Sequence, residues 1–379
     1  HLDDAAGGTS LVGGWHDGGG YGKTTATECL WLLVDAYHAA HWRIQRSPDL
    51  AQAMLEELLW RAAYLERRVR EDGVVLGAIA SKPDYYGAPE QETDNVENSG
   101  DERPVAPEDP AEPAMLAAAL ARVAQYAPED RRPALIQAAA RVLDRSVNAG
   151  DTNPFLFSAA MSLCLITGDP HYAALAKKLL PEPVPAVTES FLEYEDHFQL
   201  LELTTLVPVL MKTAAAMLKQ TDPSFGVYRL STAEPPNFFN TPETGAAKVP
   251  GSSACVLDAA GIVARAFRFQ PLPENQTFLY DQLNWILGVN PFGLCLMEGA
   301  GSTHPPSYAH GYAAAGLTRG AVPGLIARGI TGAGPGEDRP WFDLSGASRP
   351  EETTNGCSLR DTALYLHALC HLKRIHMEE

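Results

Sequence analysis

The sequence has little positive charge. Lysine and arginine total 29 of the 379 residues, against 47 aspartate and glutamate residues, so the formal net charge is −18. A surface of that sign repels the phosphate backbone of nucleic acids and the anionic head groups of lipids. We therefore expect neither a nucleic-acid-binding protein nor a protein of the membrane surface. Neutral ligands are compatible with this charge.

Long apolar runs and paired cysteines are also missing. No stretch reaches the roughly 18–20 apolar residues that cross a bilayer as a helix. The six cysteines lack the CxxC spacing typical of metal and redox sites. The chain begins at His1 rather than Met, so the lack of a leader does not indicate a compartment. Four cysteines lie in apolar helical runs and are expected to be buried thiols without disulfide bonds: Cys29, Cys164, Cys255 and Cys370.

Strand signals are rare, and residues 74–80 are the best candidate for a short strand. Elsewhere apolar residues recur at helical spacing. Ser47 followed by Pro48 is typical of a helix start, and Asp169 followed by Pro170 is another. The predicted helical segments are residues 24–42, 47–72, 113–126, 131–146, 153–167, 170–180, 189–219, 252–268, 275–287 and 357–375. Paired helices of this size predict a single all-α domain over residues 1–379, an α/α barrel or toroid whose loops form a cleft.

The glycine-rich stretch "GGWHDGGGYGK" places one carboxyl group among aromatic side chains. Asp17 is flanked by Trp15, His16 and Tyr21. Such a loop is typical of a binding site, because it places aromatic and charged side chains around a ligand. Asp17 could serve as a base, or it could hold the loop by accepting backbone hydrogen bonds.

Four separated stretches resemble glycoside hydrolase family 9. The first is the opening "HLDDA" with "GGWHDGGGYGK", which is similar to the family's GGW-[YH]-DAGDYGKY. Gln282–Ser302 resembles YiLG.NP…S.v.GfGs, Val322–Gly329 resembles PGxLvGG, and Thr353–Leu372 resembles TNEVAINWNAxLVYALA. The resemblance covers essentially the whole chain. It implies an (α/α)6 barrel with an open sugar-binding cleft. It also implies a first barrel helix, and any further domain, upstream of His1.

The resemblance assigns both catalytic carboxyl positions to glycine. Family 9 enzymes invert the anomeric centre, which needs a base and an acid roughly 6.5–9.5 Å apart. On the family motifs the base position is Gly20, the acid position is Gly356, and the water-holding aspartate is Asp17. Glycine has no side chain that transfers a proton, so the family's usual mechanism is excluded. Two glycines also predict a reshaped and enlarged pocket.

A rebuilt acid–base pair would need other carboxyl groups. Asp17 is the candidate base, and the candidate acids are Glu351, Glu352 and Asp343, which lie close to Gly356 in the sequence. Each of these three could equally belong to a solvated acidic loop.

The loop around His310 offers a second chemistry. The family pairs a histidine with an arginine in "PHHR", but here Gly311 follows His310. A histidine and a tyrosine can move protons without a carboxylate, as in β-eliminating lyases, and Arg319 and Arg328 could then hold a uronate. The net charge of −18 disfavours a polyanionic substrate. The predicted substrate-binding residues are Trp15, His16, Tyr21, His304, Tyr308, His310 and Trp341, whereas Trp285 is predicted to lie in the core.

No cofactor is expected. The family's calcium ligands near the fifth helix fall on Pro154 and Phe155. We predict a carbohydrate-active protein that binds, and with a rebuilt pair hydrolyses, a β-linked glucan or oligosaccharide that is neutral. The alternatives are a non-catalytic carbohydrate-binding protein and a polysaccharide lyase that uses His310 and Tyr308. The resemblance favours a secreted or periplasmic location.

Overall fold

The computed structural model describes residues 11, 13–15, 26–80, 87, 91–94, 96, 99–198, 206–229, 239, 251–311, 322–334 and 337–375. These residues separate into two compact units. Unit 1 contains the described residues up to Val209 except Gly87, and unit 2 contains Gly87 and the described residues from Leu210 onward. In the described parts helices dominate and one two-stranded sheet is present, which confirms the predicted all-α class.

Unit 1 is built from helices that begin where the sequence predicts. Asn153 caps α5 by accepting a hydrogen bond from the Phe155 N–H at 3.1 Å, and Asp169 caps α6 through the His171 N–H at 2.8 Å. Gly168 ends α5 in the left-handed conformation, with φ +67°. The helices are α1 (Ala26–Ile44), α2 (Pro48–Arg67), α3 (Glu112–Tyr126), α4 (Arg132–Asn148), α5 (Pro154–Thr167), α6 (Pro170–Leu179) and α7 (Thr188–His197).

Three local predictions need correction. Residues 74–80 form no strand; they make isolated bridges, Val69 with Val75 and Ile79 with Val105. Ser47 precedes α2, but its side chain makes no capping hydrogen bond. The helical pattern predicted over residues 189–219 contains two helices, α7 and α8 (Leu206–Leu218), and residues 199–205 between them lie outside the described residues.

The core of unit 1 is centred on α3. Its sequence, EPAMLAAALARVAQY, is apolar around nearly the whole circumference, and ten of its residues are buried. Small alanine side chains let neighbouring helices approach closely, and α3 packs against α1, α2, α4 and α5.

A charged group lies within this core. The Arg122 side chain on α3 is fully buried and forms an ion pair with Glu193 on α7. It also donates to Ser190 Oγ at 3.0 Å, and Ser190 Oγ lies 2.7 Å from Ser158 Oγ on α5. We call these four residues the Arg122 cluster. Buried charges persist only when paired and hydrogen-bonded, and this cluster supplies both.

His38 on α1 borders the Arg122 cluster. Its Nδ1 is hydrogen-bonded to the Tyr126 hydroxyl, and its Nε2 lies 3.8 Å from Glu193 Oε1 and 3.9 Å from Glu189 Oε2. Burial lowers the pKa of His38, and the charge of Arg122 lowers it further. The nearby carboxylates act in the opposite direction without cancelling the shift.

The lowered pKa makes the stability of unit 1 depend on pH. Below the ordinary histidine pKa of about 6.5, the unfolded chain binds a proton at His38 that the folded chain does not. The free energy of unfolding should therefore fall as the pH drops from 6.5. We expect His38→Gln to reduce this loss in urea unfolding at pH 7.5 and 5.5. His171→Gln, at an exposed position, should not. An equal loss in all three proteins would contradict the prediction.

Unit 2 combines helices with a short hairpin. The helix α9 packs against α10 and α12. In the hairpin, Thr331 pairs with Trp341 and Gly332 with Pro340, followed by an irregularity before Gly334. The elements are α9 (Ser253–Phe269), α10 (Pro273–Ile286), β1 (Thr331–Gly334), β2 (Glu337–Trp341), α11 (Glu352–Asn355) and α12 (Leu359–Ile375).

The predicted core positions in the two units are confirmed in part. Trp285 on α10 is fully buried, and its indole N–H donates to Ser252 Oγ at 3.1 Å. None of the six cysteines forms a disulfide bond, as predicted. Cys29 and Cys164 are buried, whereas Cys255 and Cys370 are only partly so. Among the described residues, no helix is long and apolar enough to cross a bilayer.

Candidate functional site

Gly356, the predicted acid position, and its neighbour Asn355 are hydrogen-bonded to other segments of unit 2. The Gly356 carbonyl oxygen accepts a hydrogen bond from the Arg328 N–H at 2.7 Å, and the Asn355 carbonyl oxygen accepts one from the Ala309 N–H at 2.8 Å. Gly356 and Asn355 are both buried. The backbone at the acid position is therefore held on two sides by other parts of unit 2.

The side chain of Asn355 joins the same loops. Its amide N–H groups donate to the carbonyl oxygens of Ser307 at 2.8 Å and Asp343 at 3.0 Å, and its Oδ1 accepts from the Thr354 hydroxyl at 2.6 Å. Sequence reasoning missed this residue. Its signal was present, because Thr354 and Asn355 match the first two residues of the TNE motif.

Glycine at position 356 is required by close packing. A Cβ atom there would lie 2.3 Å from the carbonyl oxygen of Glu352, far inside van der Waals contact. The φ of −57° is one that any residue adopts, so space, and not backbone conformation, demands the glycine. The predicted enlargement of the pocket is thus wrong at this position.

Two of the predicted acids have different surroundings. The Cγ of Glu352 lies 3.0 Å from the Cβ position of residue 356, and its carboxylate is 3.5 Å from Arg328 Nη2. The Glu352 side chain is 74% exposed. Asp343 instead accepts hydrogen bonds from the backbone N–H groups of Ser345 and Glu351, both at 2.8 Å.

These hydrogen bonds determine the state of Asp343. Partial burial acts to raise the pKa of its carboxyl group, but the hydrogen bonds from Ser345 and Glu351 outweigh burial and hold the pKa below its ordinary value. An ionised carboxylate that accepts backbone hydrogen bonds is suited to fixing the loop. The role of Asp343 as an acid stays a prediction, which this environment disfavours.

The predicted sugar contacts of unit 2 differ in exposure. Trp341, at the end of β2, is 36% exposed. Tyr308 and His310 are buried. The Nδ1 of His304 lies 3.3 Å from the carbonyl oxygen of Cys295 and 3.8 Å from a Glu298 carboxylate oxygen. Trp341 is therefore the most exposed of these residues, and its contact with a sugar stays a prediction.

In unit 1, Trp15 contacts α2. It is 4% exposed, its indole N–H donates to Glu57 at 3.0 Å, and the Arg61 guanidinium lies 5.9 Å from its ring centroid. Little of its surface is accessible to a ligand, so its contact with substrate stays a prediction. Several other predicted site positions lie outside the described residues: His16, Asp17, Gly20, Tyr21 and Arg319.

Comparison with known proteins identifies the family. The sequence model of glycosyl hydrolase family 9 matches residues 1–358. The chain belongs to this family. No curated protein sequence matches it.

Solved structures of family 9 proteins resemble this chain. A family 9 protein of Bacteroides ovatus has a TM-score of 0.74 and 16% identity, over 97% of this chain and 73% of its own. The endoglucanase of the termite Nasutitermes takasagoensis has a TM-score of 0.71 and 14% identity, over 98% and 91%. The cellulase Cel9M of C. cellulolyticum in complex with cellobiose has a TM-score of 0.67 and 16% identity, over 96% and 88%. The likeness shows the fold, the (α/α)6 barrel predicted above.

The start of α5 in this family 9 chain does not fit a calcium ion. Asp151 accepts a hydrogen bond from the Asn153 N–H at 2.9 Å, and the Asn153 side chain caps α5. Pro154 and Phe155, which follow, carry no oxygen ligand in their side chains. One side-chain oxygen of Asp151 and one of Asn153 accept backbone hydrogen bonds, and no step of the chemistry is assigned to calcium.

Proposed function

We propose that this family 9 chain binds a β-linked glucan or oligosaccharide and hydrolyses it with Glu352 as the acid. The observation that carries the proposal is the 3.0 Å distance between Glu352 Cγ and the Cβ position of residue 356. The side chain of Glu352 therefore passes the point from which the family's acid would extend. The cellobiose bound to the related cellulase supports an oligosaccharide as ligand.

The proposed reaction is hydrolysis with inversion. Glu352 gives its proton to the glycosidic oxygen as the bond to the anomeric carbon breaks. Asp17 takes a proton from a water molecule, whose oxygen bonds to the anomeric carbon from the opposite face. Trp341 offers a platform for one pyranose ring. The product is a pair of shorter sugars, one of them with a new reducing end.

Binding without hydrolysis is the second candidate function. The observation that favours it is the ion pair between Glu352 and Arg328 at 3.5 Å. A carboxylate held in an ion pair has no proton to donate. In that case the chain keeps the ligand and performs no reaction. The burial of Tyr308 and His310 gives no support to the lyase alternative.

Substitution of Glu352 separates the two candidates. We expect the wild-type protein to release reducing ends from cellotetraose, and Glu352→Gln to lower kcat by about 10²- to 10⁴-fold, the usual range for loss of a proton-transfer group. The affinity for cellotetraose, measured by calorimetry, should change little. Glu351→Gln is the matched control, since it removes the same charge one residue away, and its kcat should stay within about twofold of wild type.

The results distinguish the candidates clearly. Binding of cellotetraose by a wild-type protein that releases no product would overturn hydrolysis and establish the second candidate. Full activity of Glu352→Gln would show that another group is the acid. A wild-type protein that neither binds nor cleaves β-linked glucans, xylans and chito-oligosaccharides would overturn both candidates.

We further propose a secreted or periplasmic location. The support is the substrate class, because β-linked polysaccharides are met outside the cytoplasm.

A further inference from the structure

Arg328 places a guanidinium group beside the acid position, and the proposed mechanism does not use it. Its Nε lies 3.0 Å from the Cβ position of residue 356. Its backbone N–H donates to the Gly356 carbonyl oxygen at 2.7 Å, which fixes where the side chain begins. A cationic group therefore lies against the point at which the family has an acid.

Positions 328 and 356 both differ from the family motifs: position 328 gains a cationic side chain, and position 356 lacks the anionic one. Val322–Gly329 resembles PGxLvGG, and in that pattern Arg328 replaces the first glycine of the final pair. Across the hydrogen bond, Gly356 replaces the glutamate of TNEVA. Where the family motifs have an anionic side chain facing a glycine, this chain has a cationic side chain facing a glycine. The charge at this point of the site is thereby inverted.

The guanidinium group of Arg328 is incompletely satisfied by hydrogen bonds and ion pairs. Arginine carries five N–H groups in a planar fork that matches a carboxylate. The Nε of Arg328 is buried without a hydrogen-bond partner among the residues that the structure describes, whereas the side chain as a whole is 32% exposed, so part of it is accessible to a ligand. The ion pair of Nη2 with Glu352 is long, at 3.5 Å, and the carboxylate faces solvent, so it satisfies the group poorly.

We infer that Arg328 binds a carboxylate on the substrate, so that the sugar beside Gly356 is a uronic acid residue in a β-linked oligosaccharide. This inference rests on the proposed function and names its substrate class. The net charge of −18 repels a polyanion. The substrate therefore carries an isolated acidic residue among neutral sugars, rather than a continuous run of them.

A matched pair of oligosaccharides tests the inference. Cellotetraose and the same tetrasaccharide with one C6 hydroxymethyl group oxidised to a carboxylate differ only in that group. By calorimetry we expect the wild-type protein to bind the acidic sugar about tenfold more tightly, in line with a charge-assisted hydrogen bond. Arg328→Gln should lose this preference and keep its affinity for cellotetraose. Arg328→Lys, which keeps the charge without the fork, should retain part of it.

The control is Arg349→Gln, which makes the same charge change at an exposed position of unit 2, and it should keep the wild-type preference. Equal binding of the two sugars by the wild-type protein would overturn the inference and leave the proposed function standing. So would a preference that survives in Arg328→Gln. Failure of both sugars to bind the wild-type protein would overturn the inference and the proposed function together. Thermal unfolding of each variant identifies any loss of binding that results from misfolding.

Discussion

Replacing Gly356 with glutamate, which recreates the family's acid in sequence, is expected to destabilise the protein by about 3 kcal/mol and to leave kcat no higher than that of the wild-type protein. The new Cβ would lie 2.3 Å from the carbonyl oxygen of Glu352 and 3.0 Å from Arg328 Nε. The first contact is with backbone, which cannot rotate away as a side chain does. Overpacking against a fixed neighbour typically costs 1–3 kcal/mol, and this contact belongs at the upper end.

Two further glycine variants isolate the cause. Gly356→Ala introduces the same Cβ without a charge and should lose nearly as much free energy of unfolding in urea as Gly356→Glu. Gly334→Ala is the matched control, since nothing lies within 4 Å of a Cβ at that position, and its stability should match wild type within about 0.5 kcal/mol. Wild-type stability in Gly356→Ala would refute the steric argument.

Replacing Arg122 with methionine is expected to cost roughly 3–5 kcal/mol, because removal of one partner leaves the other charge buried and unpaired. Arg122 is fully buried in unit 1, and its ion pair with Glu193 and its hydrogen bond to Ser190 replace the water it has lost. Methionine fills a similar volume, so the loss of charge and hydrogen bonds dominates the effect.

The double variant Arg122→Met/Glu193→Gln tests this explanation. If an unpaired charge is the cause, the double variant should recover about half of the stability lost by Arg122→Met in urea unfolding. The control is Arg131→Met, whose ion pair with Glu66 is 3.5 Å long with both side chains partly exposed, and it should cost under about 1 kcal/mol. Equal losses in Arg122→Met and Arg131→Met would contradict the prediction.

Most of the helices could be predicted from the sequence because their signals are local. Asp169 and Pro170 start α6, and Gly168 stops α5, within a few consecutive residues. The strand predicted over residues 74–80 was wrong, because β-branched residues form a strand only when a partner strand lies alongside. Here the backbone makes isolated bridges instead.

The site was harder to predict because its contacts join distant segments. The motifs predict that the acid position is Gly356, and this assignment stays a prediction. They could not show that Glu352 fills the space there, since that depends on how the loop turns. The contact of Arg328 with Gly356 spans 28 residues of sequence, and no pattern within either segment indicates it. The base position, Gly20, lies outside the described residues and stays a prediction.

The close approach of Gly356 to Glu352 also has a consequence for the history of the chain. A mutation of the Gly356 codon to one for glutamate would lower the stability of the protein at once, before any catalytic benefit. The backbone around Glu352 would first have to move, and the neutral sequence changes that move it confer no advantage of their own. If Gly356 marks the loss of the family's acid, as the motifs predict, this loss is difficult to reverse, and selection would more readily refine the surroundings of Arg328 than recover a glutamate at position 356.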